Sequence, residues 1–201
     1  MAKVRALFWD VGGVLLTNAW DHQERDLAIG HFHLDKVEFE SRHKEIADPF
    51  EEGKVSLEQY LKQTVFYELR SFGVEDFKRF MFSLSKPKSE TLEVARGLAG
   101  TYPMATINNE SRELNQYRIE TFGLRDYFDL FVSSCFVGIR KPDERIYRLA
   151  IDLTQHAVQE CCFIDDREVN IDAARKVGMQ AILLRNARQL RNDLRNLGIE
   201  V

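Results

Sequence analysis

The chain is poor in the residues that staple or segment a protein. Its 201 residues include only three cysteines and four prolines. Cys161 and Cys162 are adjacent and Cys135 completes an odd count, so a disulfide framework is excluded and buried thiols in a reducing compartment are expected. No apolar run is long enough to span a bilayer, which excludes a transmembrane helix. There is no surplus of positive charge: the formal net charge is −4, so nothing invites nucleic acid or an anionic membrane. Lys3 and Arg5 precede an apolar run, but Asp10 interrupts it and no small-residue cleavage site follows, so no signal peptide is read and a cytoplasmic location is expected. Internal repeats and low-complexity tracts are also missing. What remains is an ordinary globular balance, 44% hydrophobic and 30% charged, in a chain that can bury one core with a small insertion.

The organising stretch is Leu7-Phe8-Trp9-Asp10-Val11-Gly12-Gly13-Val14. The apolar run from Val4 to Trp9 reads as a fully buried strand. It stops at a carboxylate and two glycines, which let the backbone turn sharply and let a ligand approach it. Open α/β sheets bind ligands at such carboxyl ends of strands. Asp10 as a simple turn residue is the competing reading of this stretch taken alone.

From residue 18 to residue 88 the pattern changes. Apolar residues recur at mixed three and four spacing, which predicts helices over Trp20–Phe32, Lys36–Ile46, Leu57–Leu69 and Glu75–Leu84. Ser56 to Gln59 has capping-box spacing. Phenylalanine is dense here, and a small helical core accounts for it better than a pocket wall. Strands then alternate with helices: Tyr102–Ile107, Leu130–Ser133, Cys161–Ile164 and Met179–Leu184 as strands, with helices over 90–98, 111–122, 142–154, 169–177 and 187–197. Pro142 suits a first helical position. The expected fold is α/β, a doubly wound parallel sheet, with residues 1–16 and 89–201 forming the core and 17–88 a small inserted helical domain.

In that fold the strand ends share one edge. The first ends at Asp10, the second at Asn108-Asn109 and the fourth at Asp165-Asp166, while Lys141 follows the third. Clustered carboxylates call for a hard cation such as Mg²⁺. The lysine suits a phosphate as a point charge, and a helix N-terminus after Asn109 adds anion affinity. Together they point to phosphoryl transfer with Asp10 as nucleophile.

At these residues the sequence resembles the haloacid dehalogenase-like hydrolases. The resemblance rests on Asp10-Val11-Gly12-Gly13-Val14, Asn108-Asn109, Gly138 to Asp143, and Phe163-Ile164-Asp165-Asp166 with Asn170 and Ala173-Ala174, and it makes the helical insertion a cap domain. It implies an Mg²⁺-dependent phosphatase of small phosphorylated metabolites; separately, a monomer or homodimer is expected. Asp10 would be nucleophile and metal ligand, the Gly12 carbonyl and Asp166 further ligands, and Asp165 their support through water. Lys141 would hold the phosphoryl group, and Asn108 and Asn109 would bind substrate. The sugar-1-phosphate phosphatases of that family are similar in carrying glycine at residue 12. Other members have there an Asp that protonates the leaving group, help typically worth about 10²–10⁴-fold. Asn108 stands where the family usually has Ser or Thr, and its amide can donate as a hydroxyl does.

Two other readings remain: a 2-haloacid dehalogenase, which has no use for Asp165 and Asp166, and a catalytically weak binding protein. Arg42, His43 and Lys44 are the insertion's candidates for supplying the missing acid, against a solvated helix face. His31 and His33 do not share a helix face, so no metal site is read there.

Overall fold

A computed structural model describes residues 2–201. Its centre is β1 (Ala6–Trp9), every residue of which is buried. On either side lie β2 (Met104–Asn108) and β4 (Cys161–Asp165), flanked in turn by β3 (Leu130–Ser133) and β5 (Gln180–Leu183). All pairings are parallel, and the order is β3-β2-β1-β4-β5. The chain therefore winds from β1 to β3 on one side, crosses back, and finishes through β4 and β5. The reversal lies beside β1, where an open α/β sheet forms its ligand crevice.

Side chains of β1 alternate between two cores. Leu7 and Trp9 join Met104, Cys162 and Ile164 on one face, covered by α5 (Ser89–Leu98) and α10 (Ala187–Asn196). Ala6 and Phe8 join Ala105, Ile107 and Phe163 on the other, covered by α8 (Glu144–Thr154) and α9 (Glu168–Val177). The period of two follows from strand geometry, and each such buried aromatic or aliphatic side chain contributes roughly 1.5–3 kcal/mol. The second crossover is made by α6 (Arg112–Thr121). The third runs through the short α7 (Ser134–Val137) into α8.

Between β1 and α5 come α1 (His22–Phe32), α2 (Lys36–Glu51), α3 (Leu57–Thr64) and α4 (Val74–Ser83). They bury their own apolar cluster, including Trp20, Phe39, Phe50, Tyr60 and Phe77. The dense phenylalanines are core here, in line with the sequence pattern. Ser56 and Gln59 form the expected capping box: Gln59 N donates to Ser56 Oγ at 3.2 Å and Ser56 N to Gln59 Oε1 at 2.9 Å.

Several helix limits differ from the sequence reading, among them the start of α1, which is His22 rather than Trp20, with Asp21 as its cap. Helix α2 continues past Ile46 through Pro49 to Glu51. Proline forfeits one backbone donor, but continuation buries Phe50 against Tyr60, with ring centroids 4.1 Å apart. Helix α3 stops at Thr64, and Leu69, expected within it, is fully exposed. Helix α8 begins at Glu144, not Pro142: Asp143 caps it by accepting from Arg145 N at 2.9 Å, and the Lys141–Pro142 bond before it is cis. The three cysteines are free and buried.

Candidate active site

Asp10 leaves β1 with its backbone still paired to β4, Asp10 N donating to Ile164 O at 2.9 Å. Its Oδ1 accepts from Val11 N at 2.8 Å and faces Lys141 Nζ at 2.9 Å. No hydrogen bond to Oδ2 is made by the described residues, so that oxygen is the free one. Burial pushes the Asp10 carboxyl up to about 7; Lys141 opposes the shift, while Asp165 and Asp166 add to it.

Lys141 is buried between two carboxylates, its Nζ also donating to Asp165 Oδ2 at 2.6 Å. Burial alone would lower its ammonium, but Asp10 and Asp165 hold it above the ordinary lysine value. Its backbone is clamped by one side chain: Asn109 Oδ1 accepts from Lys141 N at 2.8 Å and Asn109 Nδ2 donates to Lys141 O at 2.9 Å. Asp165, fully buried, also accepts from Arg167 N at 2.8 Å and from Asn170 Nδ2 at 3.0 and 3.1 Å. It is thus the anchor of Lys141.

Asp166 is different. Its Oδ1 is buried without a hydrogen-bond partner among the described residues, and burial with the neighbouring Asp165 raises its carboxyl above the usual range. Its Oδ2 lies against Gly13, where an added Cβ would fall 2.0 Å away. Gly13 also has φ of +75°, so both space and backbone require glycine here. One carboxylate oxygen from each of Asp10, Asp165 and Asp166 can be chosen so that all lie within 4.8 Å of one another. An orphaned carboxylate oxygen beside two more carboxylates suits a hard, oxygen-seeking cation, so these residues fit Mg²⁺.

The cluster opens into a cavity of about 300 Å³. Asp10, Gly12, Asn109, Lys141 and Asn170 line it from the sheet edge, and Trp20, Arg25, His43, Phe50 and Glu51 line it from the helical insertion. Asp10, Lys141, Asp165, Asp166 and Gly12, all expected from the sequence, are thus gathered at one edge.

Asn108 is not brought into the cavity. It is buried, with Nδ2 donating to Asn115 Oδ1 at 3.0 Å and Oδ1 accepting from Ser133 Oγ at 2.8 Å. A buried amide must be satisfied, and protein groups take both its ends. Asn109 binds Lys141 rather than pointing only at open space. Of the insertion's three candidates, only His43 lines the cavity. Arg42 pairs with Glu38 at 2.6 Å and lies 3.7 Å over the Tyr67 ring, and Lys44 is exposed.

Other lining residues have no signature in the sequence. Arg118 Nη1 donates to Glu110 Oε2 at 3.0 Å, both residues being buried. Arg140 pairs with Glu51 at 2.8 Å and with Asp48, and Arg167 with Asp21 at 2.5 Å, each joining the sheet edge to the insertion. Pairs between distant segments leave no local pattern. The sole hint is Glu110 directly following the two asparagines.

With this geometry in view, the comparisons with known proteins are decisive for the family. Residues 4–178 match the model of the haloacid dehalogenase-like hydrolases. The chain belongs to that family. It is 30% identical over 172 residues to flavin mononucleotide hydrolase 1 of Arabidopsis thaliana, covering 81% of this chain and 66% of that one. It is 35% identical over 78 residues to the pyrimidine 5′-nucleotidase YjjG of Escherichia coli, 39% of this chain and 35% of that one. The chain thus spans slightly under two thirds of the first relative and about a third of the second. Among solved structures, the HAD family enzyme bt-2542 of Bacteroides thetaiotaomicron superposes with a TM-score of 0.82 at 17% identity, covering 96% of this chain and 99% of that one. That likeness shows the shared fold. The relatives include, by name, a flavin mononucleotide hydrolase, a pyrimidine 5′-nucleotidase and a phosphatase of Mycobacterium tuberculosis.

Proposed function

We propose that the protein is an Mg²⁺-dependent phosphatase that hydrolyses a small phosphorylated metabolite through an aspartyl-phosphate on Asp10, with residues 17–88 acting as its cap. The observation that carries this is the arrangement around Asp10. Lys141 and Val11 N hold one carboxylate oxygen and leave the other free, beside an Asp166 oxygen that is buried without a partner.

Asp10 Oδ2 attacks phosphorus, and the leaving oxygen departs with the bonding pair. Water then attacks the aspartyl-phosphate and releases phosphate. Lys141 fixes the orientation of Asp10 and offers its ammonium to the phosphoryl oxygens. Asp165, Asn109 and Asn170 hold that lysine. Asp10, Asp166 and the Gly12 carbonyl would hold Mg²⁺, with Asp165 behind them. The cation supplies positive charge that favours the ionised nucleophile and offsets phosphate charge. The relatives' named substrates, a flavin mononucleotide and pyrimidine 5′-nucleotides, are consistent with a phosphomonoester. A cavity of about 300 Å³ walled partly by Trp20, Phe50 and His43 favours a small one with an apolar portion.

The three-carboxylate cluster argues against carbon–halogen displacement, which needs no cation. The direct test is an acid quench during turnover with mass spectrometry of the peptide containing Asp10. A phosphoryl adduct there, missing in Asp10→Asn, supports the reading. An adduct on another residue overturns it. Metal-dependent ligand binding without adduct or turnover would instead identify a binding protein.

A further inference from the structure

A phosphatase with glycine at residue 12 lacks the side chain from which a leaving group could take its proton. The cavity holds several titratable groups outside the Asp10–Lys141 cluster. Asp21 is paired with Arg167, and its carboxyl lies below the usual range. Glu51 is bound to Arg140 on the insertion side. His43 is depressed to about 4 by burial, and its Nδ1 is 2.8 Å from the Tyr60 hydroxyl. That hydroxyl also accepts from Trp20 Nε1 at 2.8 Å, so His43 Nδ1 is engaged within the insertion's own hydrogen bonds and the buried imidazole is neutral.

Glu110 differs in place and surroundings. A Cβ built on Gly12 would stand 3.8 Å from Arg118 Nη1 and 3.6 Å from Asn18 Oδ1. Glu110 Oε2 lies 3.0 Å from that same Arg118 Nη1. Arg118 therefore borders the side-chain position that Gly12 leaves open, Glu110 is bound to the same guanidinium nitrogen, and both residues line the cavity with Asp10 and Lys141. Resting on the phosphatase reading above, we propose that Glu110 is the general acid of this enzyme, seated on Arg118 in place of a side chain at residue 12.

The surroundings suit the role. Oε1 accepts from Ser111 N at 2.9 Å, while Oε2 has one hydrogen bond, from Arg118, and retains a position for a proton. Burial pushes the carboxyl up to about 7, against Arg118 and the Ser111 N–H and with the help of Glu51. A neutral Glu110 is thus available near neutral pH. Its backbone N donates to Ser134 Oγ at 3.0 Å, and that hydroxyl donates to Glu51 O at 2.6 Å, tying the acid to both the sheet edge and α2.

The step balances. As the Asp10 Oδ2–P bond forms and the P–O bond to the leaving group breaks, the bonding pair goes to the leaving oxygen, which takes the Glu110 proton. The resulting carboxylate faces the Arg118 cation, so charge develops where an opposite charge is already fixed. Water then attacks phosphorus and gives a proton to Glu110, and the P–O bond pair returns to Asp10.

The test compares two probes of similar shape, benzyl phosphate, whose alkoxide must be protonated, and 4-nitrophenyl phosphate, whose phenolate need not be. Glu110→Gln is expected to lower the ratio of kcat for benzyl over 4-nitrophenyl phosphate by about 10²-fold or more, within the range that general acids contribute. Adding Gly12→Asp to that variant is expected to restore the ratio, since a Cβ at Gly12 meets only ordinary contacts. Equal loss on both probes, or no loss, overturns the proposal and leaves the pair a structural one. The wild type supplies a check that needs no variant. Across a series of aryl phosphates its kcat should depend only shallowly on leaving-group basicity, and a steep dependence overturns the assignment. Turnover of 4-nitrophenyl phosphate that Asp10→Asn abolishes upholds the phosphatase reading whatever Glu110 does. No turnover of either probe by the wild type overturns both.

Discussion

Gly13 shows how tightly single residues are specified at the sheet edge. A methyl group there would fall 2.0 Å from Asp166 Oδ2 on a backbone with φ of +75°. Gly13→Ala should therefore displace the Asp166 carboxylate and cost about 1–3 kcal/mol in backbone strain. A weaker Mg²⁺-induced rise in Tm, together with a lower Tm without metal, would be the observed outcome; an unchanged metal response would contradict the placement of Asp166 as a ligand. The Arg118–Glu110 pair makes a second residue-scale prediction. Both members are buried and Arg118 Nη2 also donates to Thr17 O at 2.5 Å, so Arg118→Met leaves Glu110 without its counter-charge. Breaking a buried pair in this way costs about 3–5 kcal/mol, less whatever Glu110 recovers by staying protonated, and equilibrium urea unfolding measures it.

At the scale of elements, the insertion is fixed to the sheet edge chiefly through α2. Its last turn carries Asp48 and Glu51 to Arg140, and Gly53 follows so closely on the core that an added Cβ would meet Cys135 O at 2.3 Å. Phe50, 2% exposed, stacks on Tyr60 in the same turn. Phe50→Ala should cost about 3–5 kcal/mol and raise KM more than it lowers kcat, because it loosens a cavity wall and leaves the Asp10 cluster in place. A fall in kcat with KM unchanged would contradict that separation.

His43 on α2 gives the insertion a pH signature. Burial is the first cause of its low value, about 4, with Arg25 adding to it. The native state thus binds fewer protons than the unfolded chain between that value and the ordinary 6.5. Stability contributed here is present above about 6.5 and is lost as pH falls toward 4. Tm of the wild type should drop more steeply over that window than Tm of His43→Gln; identical slopes would contradict the burial of a neutral imidazole.

Elements with a local signature are legible in the amino-acid sequence itself. The capping box at Ser56 and Gln59, the buried run into Asp10 and the strand ending at Asp165 each declare themselves within a few residues. The end of α2 does not, because Pro49 breaks the helical rule and only the distant partners of Phe50 and Glu51 outweigh it.

For the whole molecule, the parallel order β3-β2-β1-β4-β5 gathers Asp10, Lys141, Asp165 and Asp166 from segments up to 156 residues apart. That gathering follows from the alternation of strands and helices, which is why these four residues can be named from sequence. Asn108 reads as a phosphoryl ligand by its place at a strand end, yet Asn115 and Ser133 hold its amide. Position on a strand fixes the edge a side chain reaches, while its rotamer depends on neighbours that sequence spacing does not reveal. The same limit hides Arg118–Glu110.

One consequence of the gathering is that three carboxylates, Asp10, Asp165 and Asp166, meet beside a single buried ammonium, that of Lys141. A cation that binds only the native state stabilises it by mass action, by about 2.7 kcal/mol at a hundred times Kd. Mg²⁺ should accordingly raise the Tm of the wild type, and should do so far less in Asp166→Asn. An equal rise in both would place the cation elsewhere.

The most direct test of the account is phosphate release from 4-nitrophenyl phosphate by the wild type and Asp10→Asn, each with Mg²⁺ and with chelator. The account predicts turnover by the wild type with Mg²⁺, little with chelator, and none above background in Asp10→Asn under either condition. Turnover that survives in Asp10→Asn, or that ignores the chelator, would contradict it.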